Sequence, residues 1–223
     1  MGHTLIQGLL QILNSAGQLE DELVIHEHFN RPFRIREQRM VDNMIRALSN
    51  ENIQGFDRFI TSEVTNRLFQ EENKPFGMDL IALNIQRARD HGVPGYNAYR
   101  DLCRLNRATR FEDFSDWISS DVISKLKGYY RHVDDVDLFV GGILESPLPG
   151  ALLGPTFTCI IGDQFARARK GDRFAYDNGP SQSSFSAQQL KQIRKASFAR
   201  ILCDNSDDLQ TIQPFAFLSP QQS

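Results

Sequence analysis

Asp79–Arg100 reads DLIALNIQRARDHGVPGYNAYR, and it writes helix, helix stop, turn and second helix start in unbroken succession. Leu80, Leu83 and Arg87 fall at helical spacing, Gly92 stands where a left-handed residue after the helix belongs, and Pro94 forbids continuation. The spacing predicts a helix that stops near His91. Asn84 and Arg87 are three residues apart, so an amide and a guanidinium leave one face of that helix beside Leu80 and Leu83. Taken alone, Arg87, Arg89 and Asp90 read as a solvated, salt-bridged helix end.

Composition bounds what surrounds this stretch. The chain has 223 residues, 40% hydrophobic and 24% charged, with a formal net charge of −3, which describes a globular chain long enough for a substantial core. Nothing in that balance suggests a nucleic-acid partner. No apolar run approaches the ~18 residues of a membrane span, and no charged leader precedes an apolar stretch and cleavage site. Met1-Gly2 fails as an acylation signal, because Ile6 stands where Ser or Thr is required. Three cysteines is an odd number, so at least one lacks a disulfide partner within this chain.

Taken in order, Gly2–Leu13 is apolar with His3, Gln7 and Gln11 recurring every four residues, which predicts a helix with one polar face. A lone histidine near a terminus reads by itself as a solvated or capping residue. Asn14 to Pro32 is polar and irregular, and His26 and His28 have no carboxylates or cysteines at ligand spacing, so they take no role. Arg39–Leu48 and Phe56–Phe69 read as amphipathic helices, the second turning Phe59, Ile60, Val64 and Leu68 inward. Tyr96–Leu105, Phe111–Ile118 and Asp121–Tyr130 continue the helical pattern, with Trp117 read as core. Val133–Leu138 (VDDVDL) lacks the Gly and distal Glu of an EF-hand. Thr156–Arg169 resumes a helical period after a Pro/Gly-rich turn, and Ser186 with Gln189 forms a capping box for a helix reaching Phe198.

Three blocks of the chain closely resemble one family. LNIQRARDHGVPGYNAYR resembles the signature of the animal haem peroxidases; Met1–Gln7 (MGHTLIQ) resembles their proximal histidine helix, and Val136–Phe174 their DLFVGGILE to GDRF region. The blocks occur in order, so the resemblance covers nearly the whole chain. It implies a mainly α fold with few or no strands: residues 1–205 as the C-terminal, proximal part of a haem peroxidase domain, and residues 206–223 as its polar, truncated tail.

The resemblance also assigns roles. His3 matches the proximal ligand of haem iron, Asn84 the acceptor for its other ring nitrogen, and Arg87 the arginine that meets a haem propionate, with Arg89 as the weaker candidate. The distal residues and the calcium site precede the proximal histidine in the family, so no catalytic residue is expected in this chain, and the upstream half of the same domain is expected as its partner. The expected cofactor is haem b or a derivative, and the expected reaction is hydrogen-peroxide-dependent oxidation of a small donor in an oxidative-stress context, with this chain inactive alone. Cys103 and Cys159 match the family's paired cysteines and Cys203 is left unpaired, which implies an extracellular or secretory setting. Lys170, Gly171 and Asp172 resemble an integrin-binding tripeptide, so the alternative is a non-enzymatic adhesion or interaction fragment of a peroxinectin-like protein.

Overall fold

Local signals set most of the elements in the computed structural model, which describes residues 1–179 and 181–220. Strands β1 (Leu9–Leu13) and β2 (Leu19–Val24) are followed by helices α1 (Met40–Asn50), α2 (Ser62–Thr65), α3 (Leu80–Asp90) and α4 (Tyr96–Leu102). Then come α5 (Ser120–Tyr129), α6 (Leu138–Leu144), α7 (Pro155–Gly171), α8 (Ala187–Ile193) and α9 (Phe198–Asn205), with 3-10 turns between them. Helix dominates and the described residues contain one two-stranded sheet, as the resemblance implies. The chain divides into two compact units, Met1–Ile6 with Gln54–Arg169 and Gln7–Ile53 with Lys170–Ser223.

In the second unit, Gly2–Leu13 departs from the helical expectation after its first turn. Only Gly2–Leu5 is helical, as a 3-10 turn of the first unit; Leu9–Leu13 is a strand, paired antiparallel with β2 in the register Leu10↔Leu23, Gln11↔Glu22 and Ile12↔Asp21. The reason is the turn. Asn14 Oδ1 accepts from the N–H groups of Ala16 and Gln18, both at 3.0 Å, and reverses the chain at a point where a helix would have continued. Ile12, Leu23 and Met40 then form a small core under α1. The tail is anchored there too: Asp207 and Asp208 donate their N–H groups to Asp42 Oδ2 at 2.9 and 2.7 Å. Ser186 accepts from Gln189 N–H and caps α8 as its sequence predicts, although the chain breaks at Arg194 and restarts as α9 on a Ser197 cap.

The first unit holds the larger core, with Tyr96, Phe114, Ile118 and Val136 at or near zero exposure. The predicted helix over Phe56–Phe69 shrinks to Ser62–Thr65, because Leu68 forms an antiparallel bridge with Met78 that takes its backbone out of the helical pattern. Val64 and Leu68 face inward as expected, whereas Phe59 is 70% exposed. Trp117 is half-buried. The Gly141-Gly142 pair permits the close approach of α6: a Cβ on Gly141 would lie 2.1 Å from the Tyr96 ring, and one on Gly142 2.4 Å from the Phe157 ring.

A buried polar chain runs through this core. Arg100, fully buried, donates to Asp116 at 2.6 and 3.1 Å, to the Asn106 carbonyl at 3.0 and 3.1 Å and to the Tyr96 hydroxyl at 3.2 Å. The Tyr96 hydroxyl donates onward to Glu145 at 2.8 Å, and Glu145 also accepts the Thr156 N–H at 2.9 Å and the Thr156 hydroxyl. Glu145 thereby satisfies an orphan N–H in the first turn of α7, which opens on Pro155. Burial pushes the Glu145 carboxyl up, against the hydrogen bonds from Thr156 and Tyr96. It pushes the Tyr96 phenol up too, with the Glu145 charge adding to it.

The Cys103–Cys159 disulfide implied by the resemblance is present and ties α4 to α7, with Cα atoms 5.9 Å apart and a sequence separation of 56. Cys203 is free and half-buried. Closing a loop of that size stabilises the fold by about 4 kcal/mol in the chain-entropy treatment. Non-reducing peptide mapping is expected to recover Cys103 linked to Cys159; recovery of Cys103 linked to Cys203, or of free thiols in secreted material, would contradict it.

Candidate functional site

Helix α3 begins where Asp79 accepts from the N–H groups of Ile81 and Ala82 at 2.8 and 3.1 Å. It ends in a Schellman motif: Gly92, at φ +65°, donates to Arg89 O at 3.1 Å, and Val93 donates to Ala88 O at 2.9 Å. Pro94 then lets the chain turn into α4. The predicted stop near His91 is thus met by backbone geometry. Despite its leucines and isoleucines, α3 has no buried residue within this chain, and Leu83 is 38% exposed. A helix with an apolar stripe needs something to pack against, so this face is available for further contacts.

The polar residues of α3 sort by what already engages them. Asn84 is half-buried, and its Nδ2 donates to the Leu80 carbonyl one turn back. That acceptor fixes which way the amide faces and leaves Oδ1 with no hydrogen bond among the described residues. The Arg87 guanidinium is exposed and without a partner among the described residues. Arg89 is committed: Nε and Nη2 grip the Asp137 carboxylate at 2.9 and 2.7 Å in a bidentate pair.

Asp137 is the residue that sequence reading passed over, since it stood in the VDDVDL run discarded as a calcium loop. It is 8% exposed and also accepts from the Tyr130 hydroxyl at 2.8 Å. Burial, the largest influence on the Asp137 carboxyl, pushes it up, but the Arg89 and Tyr130 hydrogen bonds win and hold it below its usual value near 3.8. Burial and the Asp137 bond push the Tyr130 phenol up to about 12. A depressed carboxyl contributes stability that is present above the unfolded value and is lost as pH falls through the folded one. Asp137→Asn is therefore expected to cost about 1–2 kcal/mol at neutral pH, less than a fully buried pair because Arg89 is more than half exposed, and the difference from the parent should shrink below about pH 4. A pH-independent difference in thermal midpoint would contradict the assignment.

His3 sits in the Gly2–Leu5 turn of the same unit, half-buried, with its ring unbonded to any described residue. The turn is held in place: Thr4 is 1% exposed and its hydroxyl donates to Met1 O at 3.0 Å, while Leu5 packs against the Phe56, Ile143 and Phe157 cluster. No hydrogen bond joins any two of His3, Asn84 and Arg87.

Two of the other histidines have local tasks. His132 Nδ1 accepts from Asp134 N–H at 3.2 Å and caps a 3-10 turn, and His91 Nδ1 lies 2.9 Å from Arg87 O. His26 and His28 lie in a 3-10 turn, and among the described residues no cluster of histidine, cysteine and carboxylate could hold a metal ion. Lys170, Gly171 and Asp172 are exposed at the end of α7, where Asp172 Oδ1 accepts from Phe174 N–H at 2.9 Å in a local turn. No described helix is long and apolar enough to cross a membrane.

These residues lie in a chain with clear relatives. The protein called Peroxidase from Drosophila melanogaster is 41% identical over 221 residues, which is 99% of this chain and 32% of that protein. Peroxidasin from Drosophila melanogaster is 40% identical over 222 residues, 97% of this chain and 14% of that one. The chain thus spans a third or less of the length of these relatives. Among solved structures, peroxidase A from Dictyostelium discoideum superposes with a TM-score of 0.81 at 30% identity, over 96% of this chain and 40% of that one. The family profile described as animal haem peroxidase matches residues 1–217, and on that match the chain belongs to the animal haem peroxidase family.

Proposed function

We propose that this chain is the proximal part of a haem peroxidase, an oxidoreductase that uses hydrogen peroxide to oxidise a small donor. The observation that carries the reading is the division of labour on α3: Arg89 is consumed by Asp137, while the Asn84 amide oxygen and the Arg87 guanidinium are left unengaged. Those are the two groups a haem site needs there, a hydrogen-bond acceptor and a carboxylate anchor. Haem b, or a derivative of it, would supply the redox chemistry with peroxide.

The chain's own residues would hold that group. His3 offers a neutral imidazole nitrogen to the iron, and Asn84 Oδ1 accepts the N–H on the other side of the ring, fixing tautomer and orientation. A neutral amide acceptor draws less charge into the ring than a carboxylate would, so the ligand keeps imidazole character. Arg87 pairs with a propionate through its planar fork. The upstream half of the domain supplies the distal proton-transfer groups and the calcium site, and it covers the exposed apolar side of α3. The setting is extracellular, in keeping with the disulfide. The adhesion reading through Lys170, Gly171 and Asp172 has weaker support, because the Asp172 carboxylate already serves its own turn.

Distal proton transfer commonly contributes about 10²–10⁴-fold, so residues 1–223 alone are expected to oxidise no phenolic donor with peroxide. A chimera in which this chain replaces the matched 221 residues of the Drosophila peroxidase is expected to do so. An inactive but folded and haem-loaded chimera, or turnover by residues 1–223 that His3→Ala removes, would contradict the proposal.

A further inference from the structure

Helices α5 and α6 enclose an open cavity of about 370 Å³ that contains none of His3, Asn84 or Arg87. Its floor is apolar: Val122 and Leu126 of α5 are nearly fully buried, and Val140 and Leu144 of α6 form the facing wall. Residues 122, 126 and 129 follow one α5 face at helical spacing, so the groove runs along the helix and ends at Tyr129, which is 85% exposed. The volume lies within the range of small-molecule pockets.

The charges at the rim have one sign. Arg58 and Lys125 both border the groove, and the Lys125 ammonium has no partner among the described residues. Arg58 lies over the Phe59 ring at 4.8 Å, and its one ion pair among the described residues, to Asp121, is loose at 3.9 Å. Of the two phenols in the lining, Tyr130 has its hydroxyl committed to Asp137 at 2.8 Å, and the exposed Tyr129 carries no charge to set against the two cations.

We propose that this groove binds a small amphipathic monocarboxylate, its apolar body along Val122, Leu126, Val140 and Leu144 and its carboxylate between Arg58 and Lys125. A cationic or zwitterionic ligand would bring positive charge to a rim that already carries two cations, and a neutral one would leave both unanswered. A carboxylate also makes charge-assisted hydrogen bonds that a neutral head group does not. The loose Asp121 pair is the contact such a head group would displace. This inference does not depend on the haem reading, because no residue is shared.

The test is a calorimetric titration of residues 1–223 with decanoate below its micelle concentration, beside decanol and decyltrimethylammonium. Saturable one-site binding is expected, with decanoate about tenfold tighter than decanol and the cation weakest, since a charged hydrogen-bonded contact commonly reaches that size. Lys125→Glu with Arg58→Glu should weaken decanoate about tenfold and leave decanol unchanged, while Asp121→Asn should tighten decanoate roughly threefold by freeing Arg58. Decanoate and decanol binding alike, binding indifferent to the charge reversals, or uptake that never saturates would each overturn the proposal.

Discussion

Arg100→Met is expected to destabilise the folded chimera by about 2–4 kcal/mol, because it removes a fully buried guanidinium and strands the buried groups it serves, while the Asp116 carboxylate, 38% exposed, can turn to water and lowers the cost below that of a fully buried pair. Arg100 is fully buried and makes five hydrogen bonds to Asp116, Asn106 and Tyr96. Met preserves the apolar stem, so the loss isolates the guanidinium. The Asn106 carbonyl would lose its donors, and Glu145 would lose the nearby positive charge that favours its ionised form. Arg100→Lys should recover only part of the loss, since an ammonium does not reproduce a planar fork that reaches Asp116 and Asn106 together. Total stabilities are typically about 5–15 kcal/mol, so a fall of this size should be plain in the thermal midpoint. A loss below about 1 kcal/mol would show that the network is not a structural hub.

His3→Ala in the chimera is expected to abolish haem retention, and Asn84→Ala to leave haem bound with an altered spectrum and about 10–100-fold slower turnover. The two outcomes differ because the roles differ. Loss of His3 removes the proposed metal-binding atom; loss of Asn84 removes the group proposed to orient it. Asn84 already donates its side-chain amide to Leu80 O, so its alanine variant also removes a hydrogen bond within α3, and the thermal midpoint should be followed to separate that effect. Arg87→Ala should weaken haem affinity without moving the iron-ligand spectrum, whereas Arg89→Ala should act through stability, because Arg89 holds Asp137. An Arg89 variant that altered the spectrum with an unchanged midpoint would reverse those two assignments.

The parts of this molecule that could be read from sequence are those dictated by neighbours in the chain. Asp79, Gly92 and Pro94 fix the ends of α3 through local hydrogen bonds and backbone conformation, and Ser186 with Gln189 does the same for α8. Gly141-Gly142 meets the Tyr96 and Phe157 rings, contacts between distant stretches that no local pattern encodes. Gly2–Leu13 misled because polar residues every four positions imitate a helix, while the Asn14 side chain, acting on the backbone that follows, decides for a hairpin. The Phe56–Phe69 pattern misled for a related reason, since the bridge to Met78 is invisible in periodicity. Choosing Arg87 over Arg89 rested on resemblance alone. The physical distinction lies in Asp137, 48 residues from Arg89 in sequence, and in no local feature of the helix. Pairing of Cys103 with Cys159 likewise came from resemblance and is now seen as the α4–α7 tie.

The most direct test of His3 as the iron ligand is chemical rescue of His3→Gly in the chimera. Glycine leaves room where the imidazole stood, so added imidazole should restore the haem absorbance band that the variant lacks, in a saturable manner, and Asn84→Ala should weaken that rescue by removing the acceptor for its free N–H. Haem bound by His3→Gly with an unaltered spectrum and no response to imidazole would contradict the assignment of the ligand to this residue.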